Sequence, residues 1–436
     1  MIKIDSRKVV KGDTFIAIDK GHLYVEDAIK NGACTVIVER GNYNVNTIKV
    51  SDTKKYLTDY LYDNYYKDIK DINLIGVTGT NGKTTTAYLI YQALNKLNIK
   101  CAYIGTLGFY YNNKVIHTNN TTPNLYEMYQ YLLECKENDI NFVAIEVSSQ
   151  GLCMGRVDSL KFKYAIFTNL TQDHLDYHKT MDNYIEAKKM LFEKLDGTSI
   201  INVDDEYSSN FMINDNIVTY GRTSDQYKID NIAITKDGTT FTVNDIKYST
   251  KLLGEYNVYN ITIVIILLEL MNLDTKVIEL LEPPKGRIQI INYNDNSIII
   301  DYAHTPDAVL KVLNSMRDLN PKNIITIIGC GGNRDKLKRP IMGKIAVENS
   351  DYVIFTTDNP RYENKRKILK DITCKLDKSN YRIIVNRYKA IKKGIQKLSK
   401  NDILLVLGKG HEEYQDIKGK KTHFSDYDTV INIIRR

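Results

Sequence analysis

Short apolar runs alternate with amphipathic segments along most of the chain, as expected when strands alternate with helices. From Asn73, strands are predicted at NLIGVTG, CAYIGTLG, FVAIEV and YAIFTNL, and a helix is predicted to begin at Lys83. After Gly286 the alternation restarts, with strands predicted at SIIIDYAH, NIITIIGCGG, YVIFTTDN, YRIIV and DILLVLGKG. Apolar strands separated by helices form parallel sheets covered on both faces. The predicted fold class is therefore α/β, with two doubly wound, mainly parallel sheets.

A chain of 436 residues is too long for one ordinary core, and we predict three domains, at residues 1–70, 71–283 and 284–436. The first reads as a small α/β unit, with strands at DTFIAI and TVIVE around a helix at YVEDAIKNGA. Between Ser199 and Ser249 the strands look short and antiparallel, with a turn at Asp237 and Gly238. Pro283 and Pro284 mark the last boundary.

Composition narrows the class of protein. Hydrophobic residues make up 43% and charged residues 26%, which is typical of a soluble globular protein. The apolar stretch Ile261 to Met271 is too short to span a membrane and is predicted to be a buried helix. The N-terminus lacks the apolar core of a signal peptide, so we expect a cytoplasmic protein. The six cysteines show no C-x-x-C spacing, and the net charge of +7 gives no argument for nucleic acid.

Gly79 to Thr85 read GTNGKTT between a predicted strand and a predicted helix, the context of a phosphate-binding loop. Its backbone N–H groups are expected to face phosphate oxygens of ATP. Lys83 is expected to reach the terminal phosphates, and the Thr84 hydroxyl to bind Mg²⁺. The glycine spacing departs from the usual G-x-x-x-x-G-K-[ST], since Gly79 stands three residues before Gly82.

Two further strand ends carry candidate ligands. Glu146 ends a buried strand, where a carboxylate is costly unless it meets a cation. Mg²⁺ beside Thr84 would satisfy it, and pairing with an arginine is the structural alternative. The segment NLTQDHLDYH places Asp173, His174, Asp176 and His178 after another strand, and His174 is the preferred metal or phosphate ligand.

The predicted helix YIEAKKMLFEKL carries a lysine on its apolar face. Tyr184, Ala187, Leu191 and Leu195 share that face at helical spacing, and Lys188 falls within the same arc. A buried lysine must lose its charge or gain a partner. Carbamylation by CO₂ would turn the amine into a carboxylate that binds Mg²⁺, whereas a salt bridge or a snorkelling side chain is the commoner outcome.

Three loops of the last domain, GGNRDKLKRP, TTDNPRYE and GKGHEEYQ, each follow a predicted strand. They bring Arg334, Arg361, His411 and Glu412 to one edge of the sheet. Arginine recognises carboxylates, and a nearby acid receives an ammonium group. An amino acid would suit this set, although each residue alone could be an ordinary loop residue.

With these motifs in view, nearly the whole chain, from DSRKVVKGDTFIAI to GKGHEEYQ, resembles the Mur ligases, and among them the enzymes that add the third residue of the peptidoglycan stem peptide. The resemblance implies a UDP-binding N-terminal domain, a central ATPase domain and a C-terminal Rossmann-like domain that brings the amino acid. It implies that ATP phosphorylates UDP-MurNAc-L-Ala-D-Glu to an acyl phosphate, which the amine of a diamino acid then attacks.

The resemblance also implies roles for individual residues. Lys83, Glu146, His174 and Lys188 would be catalytic, with Thr84, Glu146, His174 and carbamylated Lys188 (N6-carboxylysine) binding Mg²⁺. The remaining assignments are to ATP at Gly79, Thr80, Asn81, Gly82, Lys83, Thr84, Thr85, Asn257, Arg287, Asp301 and His304; to the UDP-MurNAc dipeptide at Ser6, Asn120, Thr121, Thr122, Ser148 and Arg156; and to the amino acid at Arg334, Asp358, Asn359, Pro360, Arg361, Gly408 and Glu412.

The DNPR segment at 358–361 resembles the enzymes that add meso-diaminopimelate, because lysine-adding relatives commonly lack its arginine. Arg361 would pair with the carboxylate that diaminopimelate has and lysine lacks, and such a site rejects the analogue strongly. The alternative substrate is L-lysine or another diamino acid. A more distant alternative is another enzyme, a folylpolyglutamate synthetase. The alternative outside the enzymes is a catalytically silent protein that binds muropeptides. We expect a monomer with no nucleic-acid or membrane partner.

The chain departs from the family pattern at a few positions. The loop after FIAI is short, which leaves the uridine contacts near His22 open. Gln150 stands where His is common, Met154 where some relatives have a substrate-binding Gln, and Gln289 where Glu is usual. None of these changes removes a predicted catalytic group.

Overall fold

The computed structural model describes residues 1–435, which build three main sheets in chain order. The first is a four-stranded parallel sheet, around which Phe15, Ala28 and Val36 form a small core. The predicted strand, helix and strand are confirmed, although the helix is shorter than predicted and follows a 3₁₀ segment at Asp19–Tyr24. Its elements are β1 (Ile2–Lys3), a 3₁₀ turn (Ser6–Lys8), β2 (Thr14–Ile16), α1 (Val25–Lys30), β3 (Thr35–Val38), β4 (Asn46–Lys49) and α2 (Thr53–Ile69).

The central sheet has eleven strands in the order β15-β14-β13-β12-β11-β10-β5-β9-β6-β7-β8. The strands from β13 to β6 are parallel, and antiparallel hairpins extend both edges. Its strands are β5 (Asn73–Thr78), β6 (Cys101–Gly105), β7 (Gly108–Tyr111), β8 (Lys114–Ile116), β9 (Phe142–Glu146), β10 (Phe162–Phe167), β11 (Leu195–Asn202), β12 (Ile217–Gly221), β13 (Tyr227–Thr235), β14 (Gly238–Val243) and β15 (Ile246–Thr250).

Helices cover both faces of this sheet, as the apolar strands predict. They are α3 (Lys83–Lys96), α4 (Leu125–Glu137), α5 (Ser149–Cys153), α6 (Leu175–His178), α7 (Met181–Glu193) and α8 (Glu255–Leu270), with 3₁₀ segments at Ser208–Phe211 and Thr275–Leu280. Helix α8 contains most of the stretch predicted to be a buried helix, and every residue from Ile261 to Leu268 is buried. Leu57 and Leu61 of α2 pack in the same cluster as Met128 and Leu132 of α4, so the hydrophobic core continues across residue 70.

Two predictions in this region were wrong in part. The strands after Ser199 are not all antiparallel, because β11 runs parallel to both β10 and β12. Antiparallel pairing begins only between β13 and β14, where the turn predicted at Asp237 and Gly238 is confirmed. Helix α7 ends at Glu193, so Leu195 does not extend its apolar face but begins β11. An apolar residue at helical spacing serves a strand equally well, and periodicity alone does not separate the two.

The third sheet has six strands in the order β16-β17-β21-β18-β19-β20, all parallel except β16. Its elements, with a separate hairpin of β22 and β23, are β16 (Gln289–Tyr293), β17 (Asn296–Asp301), α9 (Pro306–Arg317), β18 (Ile324–Ile328), α10 (Lys338–Asn349), β19 (Tyr352–Phe355), α11 (Lys365–Thr373), β20 (Tyr381–Ile383), α12 (Arg387–Lys397), β21 (Ile403–Leu407), β22 (Tyr414–Ile417), β23 (Lys420–His423) and α13 (Asp426–Ile434). The predicted α/β class, with two large and mainly parallel sheets, is confirmed. Across residues 1–435, no helix combines the length and the apolar character needed to cross a membrane.

Candidate functional site

A cleft of about 770 Å³ lies between the central and C-terminal sheets, at the ends of their parallel strands. Loops at such strand ends are where ligands bind in doubly wound sheets. Most of the predicted site residues line this one cleft, namely Thr80, Asn81, Gly82, Lys83, Thr84, Thr85, Asn120, Thr121, Glu146, Ser148, Arg156, His174, Lys188, Asn257, Arg287, Asp301, His304, Arg334, Asp358, Asn359, Arg361, Gly408 and Glu412.

Of the residues assigned through the family resemblance, four lie outside that lining. Gly79 is the first residue of the candidate phosphate-binding loop but is not part of the lining, and Pro360 lies between two lining residues. Thr122 is fully buried, where its hydroxyl donates to the Glu146 carbonyl at 2.8 Å. Ser6 lines a second cleft of about 900 Å³ on the N-terminal sheet. The two clefts share Asn119 in their walls, so a long ligand could extend from one into the other.

The phosphate-loop candidate joins β5 to α3. Gly79 has φ of 141°, and a Cβ there would lie 2.0 Å from Thr168 Oγ1, so no other residue fits without displacement. The backbone N–H groups of Thr80 and Asn81 donate to Asn169, at 2.7 and 3.0 Å. Helix α3 begins at Lys83 without a side-chain cap, and its first residues line the cleft, so this helix start favours an anion there. Lys83 Nζ donates to the carbonyls of Gly79 and Thr80, both at 2.8 Å. Burial lowers the pKa of Lys83, an effect that the charges of Glu146 and Asp173 oppose.

Glu146 and Thr84 meet at the start of α3. Thr84 Oγ1 donates to Glu146 Oε2 at 2.8 Å, and Arg287 Nη2 donates to Thr84 Oγ1 at 3.0 Å. The other carboxylate oxygen accepts from the Tyr103 hydroxyl and from the backbone N–H of Thr106 at 2.8 Å. Hydrogen bonds therefore satisfy the buried carboxylate directly, rather than the salt bridge to arginine that the sequence left open.

Lys188 is buried, as its place on the apolar face predicts, with 1% of its surface exposed. Its Nζ donates to the Gly79 carbonyl at 2.7 Å and lies 4.4 Å from the Tyr184 ring centroid. The pKa of Lys188 lies well below its ordinary value; burial is the larger cause, and the neighbouring Lys83 ammonium is the second. A neutral amine is the form that reacts with CO₂, so the chemistry of this side chain fits carbamylation.

His174 and Asp173 lie on the loop after β10. His174 has a left-handed φ of 56°, and its Nε2 lies 3.5 Å from Asp173 Oδ2. Asp173 Oδ1 pairs with Lys338 Nζ at 3.1 Å, and both side chains are buried. Burial raises the pKa of Asp173, but the charges of Lys338, His174 and His304 outweigh burial and lower it. Lys338 begins α10, so this ion pair joins the C-terminal sheet to the central one.

Sequence reasoning missed Lys338 and a second contact of the same kind, in which Asn81 Nδ2 donates to Asp307 Oδ2 at 2.9 Å. Lys338 lies within the GGNRDKLKRP segment, where only its arginine at 334 was singled out. Asp307 is the second residue of α9 and looked like an ordinary helix-start acid. Neither carries a local signal, because each partner lies more than 160 residues away.

The C-terminal wall combines cations and carboxylates. Arg334 and Arg361 line the cleft together with Asp358 and Glu412, and Arg361 Nη1 donates to the Gly332 carbonyl at 2.8 Å. His411 is not part of the lining; its ring packs on Tyr302 with centroids 5.0 Å apart. Burial, and next the Arg287 guanidinium, lower the pKa of His411 to about 3. This wall can therefore receive a ligand that carries both carboxylate and ammonium groups.

The predicted metal ligands include few of the side chains that usually bind metals. Within residues 1–435, no three His, Cys, Asp or Glu side chains come together in a way that could hold a metal. The predicted set includes only two side chains of these types, Glu146 and His174, and the others are the Thr84 hydroxyl and a carbamate on Lys188. The oxygens of Thr84 and Glu146 are adjacent hard donors of the kind that Mg²⁺ prefers, so this pair fits the ion.

Comparisons with known proteins identify the family to which this chain belongs. Residues 77–268 match the Mur ligase middle domain, and residues 286–410 match the Mur ligase glutamate ligase domain. A relative from Clostridium botulinum, a UDP-N-acetylmuramoyl-L-alanyl-D-glutamate–2,6-diaminopimelate ligase, is 38% identical over 100% of this chain and 95% of its own length. The chain belongs to the Mur ligase family.

Solved structures of Mur ligases have the same architecture. A structure of a UDP-N-acetylmuramoyl-L-alanyl-D-glutamate–2,6-diaminopimelate ligase matches with a TM-score of 0.67 and 32% identity, over 100% of this chain and 94% of the other. The MurF ligase of Thermotoga maritima, solved in complex with ADP, matches with a TM-score of 0.70 over 99% and 96% of the two chains. At 16% identity the second match shows the fold alone.

Proposed function

We propose that this Mur ligase uses ATP to join meso-diaminopimelate to UDP-MurNAc-L-Ala-D-Glu. One observation carries the proposal: the phosphate-binding loop and the wall that holds Arg361 and Glu412 face the same cleft. A ligase needs the phosphoryl donor, the carboxylate acceptor and the amine within reach of one another. The high similarity to diaminopimelate ligases along the full chain supports the choice of substrates.

In the proposed reaction, the free carboxylate of the D-glutamate residue attacks the γ-phosphorus of ATP, which gives an acyl phosphate and ADP. The amine of the second substrate, after losing a proton, attacks the acyl carbon, and inorganic phosphate leaves as the amide forms. Lys83 and the N–H groups at the start of α3 stabilise the charge on the transferring phosphoryl group. Asn120, Thr121, Ser148 and Arg156 hold the dipeptide portion, and Ser6 contacts the nucleotide portion in the neighbouring cleft.

Thr84 and Glu146 would hold one Mg²⁺, and His174 with carbamylated Lys188 a second. Mg²⁺ would supply neutralisation of phosphate charge. A carbamate on Lys188 would place a negative charge beside Lys83, whose ammonium donates to the same Gly79 carbonyl that Lys188 contacts. Asn257, Arg287, Asp301 and His304 would surround the nucleotide. The cytoplasmic location and monomeric state remain predictions from the sequence.

The experiment compares amino acids. Purified protein with ATP, Mg²⁺, bicarbonate and UDP-MurNAc-L-Ala-D-Glu should release phosphate with meso-diaminopimelate and not with L-lysine. Arg361→Gln should lower kcat/KM for diaminopimelate by roughly 10²-fold or more, because the site would lose its partner for the second carboxylate. Arg382→Gln, an exposed arginine outside the cleft, serves as the matched control.

Faster turnover with lysine than with diaminopimelate would show that the role given to Arg361 is wrong. No phosphate release with either amino acid, from protein that still binds the UDP-dipeptide, would favour the muropeptide-binding alternative.

A further inference from the structure

Lys409 lies beneath the C-terminal wall of the cleft, inside the GKGHEEYQ segment, and none of the roles assigned above includes it. It is fully buried, with 0% of its surface exposed. A buried ammonium is costly unless acceptors surround it. Its Nζ donates to the Tyr414 carbonyl at 2.6 Å, to Glu412 Oε2 at 3.0 Å and to Asn359 Oδ1 at 3.3 Å. These three acceptors use all three donors of the ammonium group.

The contacts fix one end of the Glu412 carboxylate. Asn359 Nδ2 also donates to Glu412 Oε2, at 2.7 Å. Both donors therefore reach the same oxygen, and Oε1 is left for a ligand in the cleft that Glu412 lines. Because Asn359 follows β19 and Glu412 follows β21, Lys409 ties together two loops that end different strands.

The charge on Glu412 depends on its neighbours. Burial first, and the nearby Asp358 carboxylate second, raise the pKa of Glu412, whereas Lys409 lowers it. Other titratable or charged groups face Glu412 from the loop after β17, from the start of α12 and from β22; these are Tyr302, Arg387 and Tyr414.

Arg387 cannot replace Lys409 in this role. Its Nε and Nη2 donate to the Asp426 carboxylate at 2.7 and 2.6 Å, and Nη2 also donates to the Leu407 carbonyl. Its charge is thus neutralised within a buried pair that does not include Glu412. In residues 1–435, the one ion pair that the structure gives Glu412 is with Lys409.

We propose that Lys409 is a positioning residue for the amino-acid substrate: it holds the Glu412 carboxylate charged and directed into the cleft, where that carboxylate receives the ammonium group of the incoming amino acid. This inference rests on the proposed function. Lys409 does not touch the substrate and acts through Glu412. A purely structural lysine would affect folding or overall turnover without changing how amino-acid binding responds to pH.

The test measures KM for the amino acid from pH 5.5 to pH 9 in the wild type and in Lys409→Met, and reports the ratio of the two values so that titration of the substrate cancels. Without the ammonium, the pKa of Glu412 rises further. Where this pKa exceeds the assay pH, the protonated carboxyl no longer pairs with the substrate ammonium, and KM increases roughly tenfold for each pH unit of that difference. The ratio should then fall towards one as pH rises, while KM for ATP stays within about twofold.

Three variants sharpen the result. Glu412→Gln removes the acceptor, so adding Lys409→Met to it should change the amino-acid KM by less than about twofold if Lys409 acts through Glu412. Lys285→Met is the matched control, because Lys285 pairs with the adjacent Glu413 at the surface. If Lys409→Met does not give a native circular dichroism spectrum, Lys409→Gln, which keeps N–H donors but no charge, replaces it.

A ratio that does not change with pH, or a Lys409→Met effect that is undiminished in the Glu412→Gln protein, would overturn the inference. These outcomes differ from failure of the proposed function itself, in which the wild type would show no phosphate release that depends on the amino acid at any pH.

Discussion

The buried ion pair between Asp173 and Lys338 makes a quantitative prediction about how the C-terminal sheet docks on the central one. The two side chains are 6% and 7% exposed, and they come from opposite sides of the cleft. Asp173→Asn would leave the Lys338 ammonium buried without its partner. Breaking such a pair costs about 3–5 kcal/mol. Since 1.4 kcal/mol is a factor of ten, the closed arrangement should become less favourable by roughly two to three and a half orders of magnitude.

Because the pair joins the two sheets, its loss should weaken their association and leave the free energy of unfolding of each sheet unchanged. We therefore expect the thermal unfolding of Asp173→Asn to resemble that of the wild type, while small-angle X-ray scattering shows a larger radius of gyration. The folded pKa of Asp173 is lowered, so its contribution is fully present above about pH 3.9 and is lost only as pH falls through the lower folded value. The radius of gyration from scattering should therefore not change between pH 6 and pH 8.

Two controls test the reasoning. Combining Asp173→Asn with Lys338→Met removes both charges, and it should restore closure because no unpaired charge remains buried. Glu348→Gln breaks the exposed pair with Lys344 and should cost less than about 1 kcal/mol. A closed Asp173→Asn protein, or a double variant as open as the single one, would refute the assignment of this pair as a docking contact.

The remaining predictions concern the phosphate-binding loop. Lys188→Ala should abolish turnover and recover part of it with acetate; an active variant without acetate, or no carbamate signal by carbon-13 NMR of wild type in labelled bicarbonate, would contradict carbamylation. Gly79→Ala should weaken ATP binding by at least tenfold and lower stability by roughly 1–3 kcal/mol, because the new Cβ would lie 2.0 Å from Thr168 Oγ1 at a backbone angle that alanine rarely adopts. Isothermal titration with ATP and thermal unfolding would measure the two effects. Gly21→Ala is the control, because its new Cβ would meet Phe15 at an ordinary contact distance of 3.8 Å.

Much of the fold and of the individual site residues could be read from the sequence because the signals are local. The apolar strands, the helix that follows GTNGKTT and the burial of Lys188 all depend on the spacing of side chains within one element. Errors arose where local spacing fits two structures, as at Leu195, which continues the helical pattern of α7 but begins β11. The direction of β11 was also missed, because strand pairing depends on segments far away in the chain.

The sequence by itself determined the α/β class, the strand, loop and helix that contain GTNGKTT, and the strand ends that carry Glu146, His174 and Arg361, because strand, turn and helix preferences are set by neighbouring residues. Only the tertiary structure decided which of these loops meet. It placed Lys338 on Asp173 and buried Lys409 against Glu412. Such contacts form when sheets dock and satisfy buried charges across the chain, and a lysine in a loop carries no local sign of the acid that it will meet.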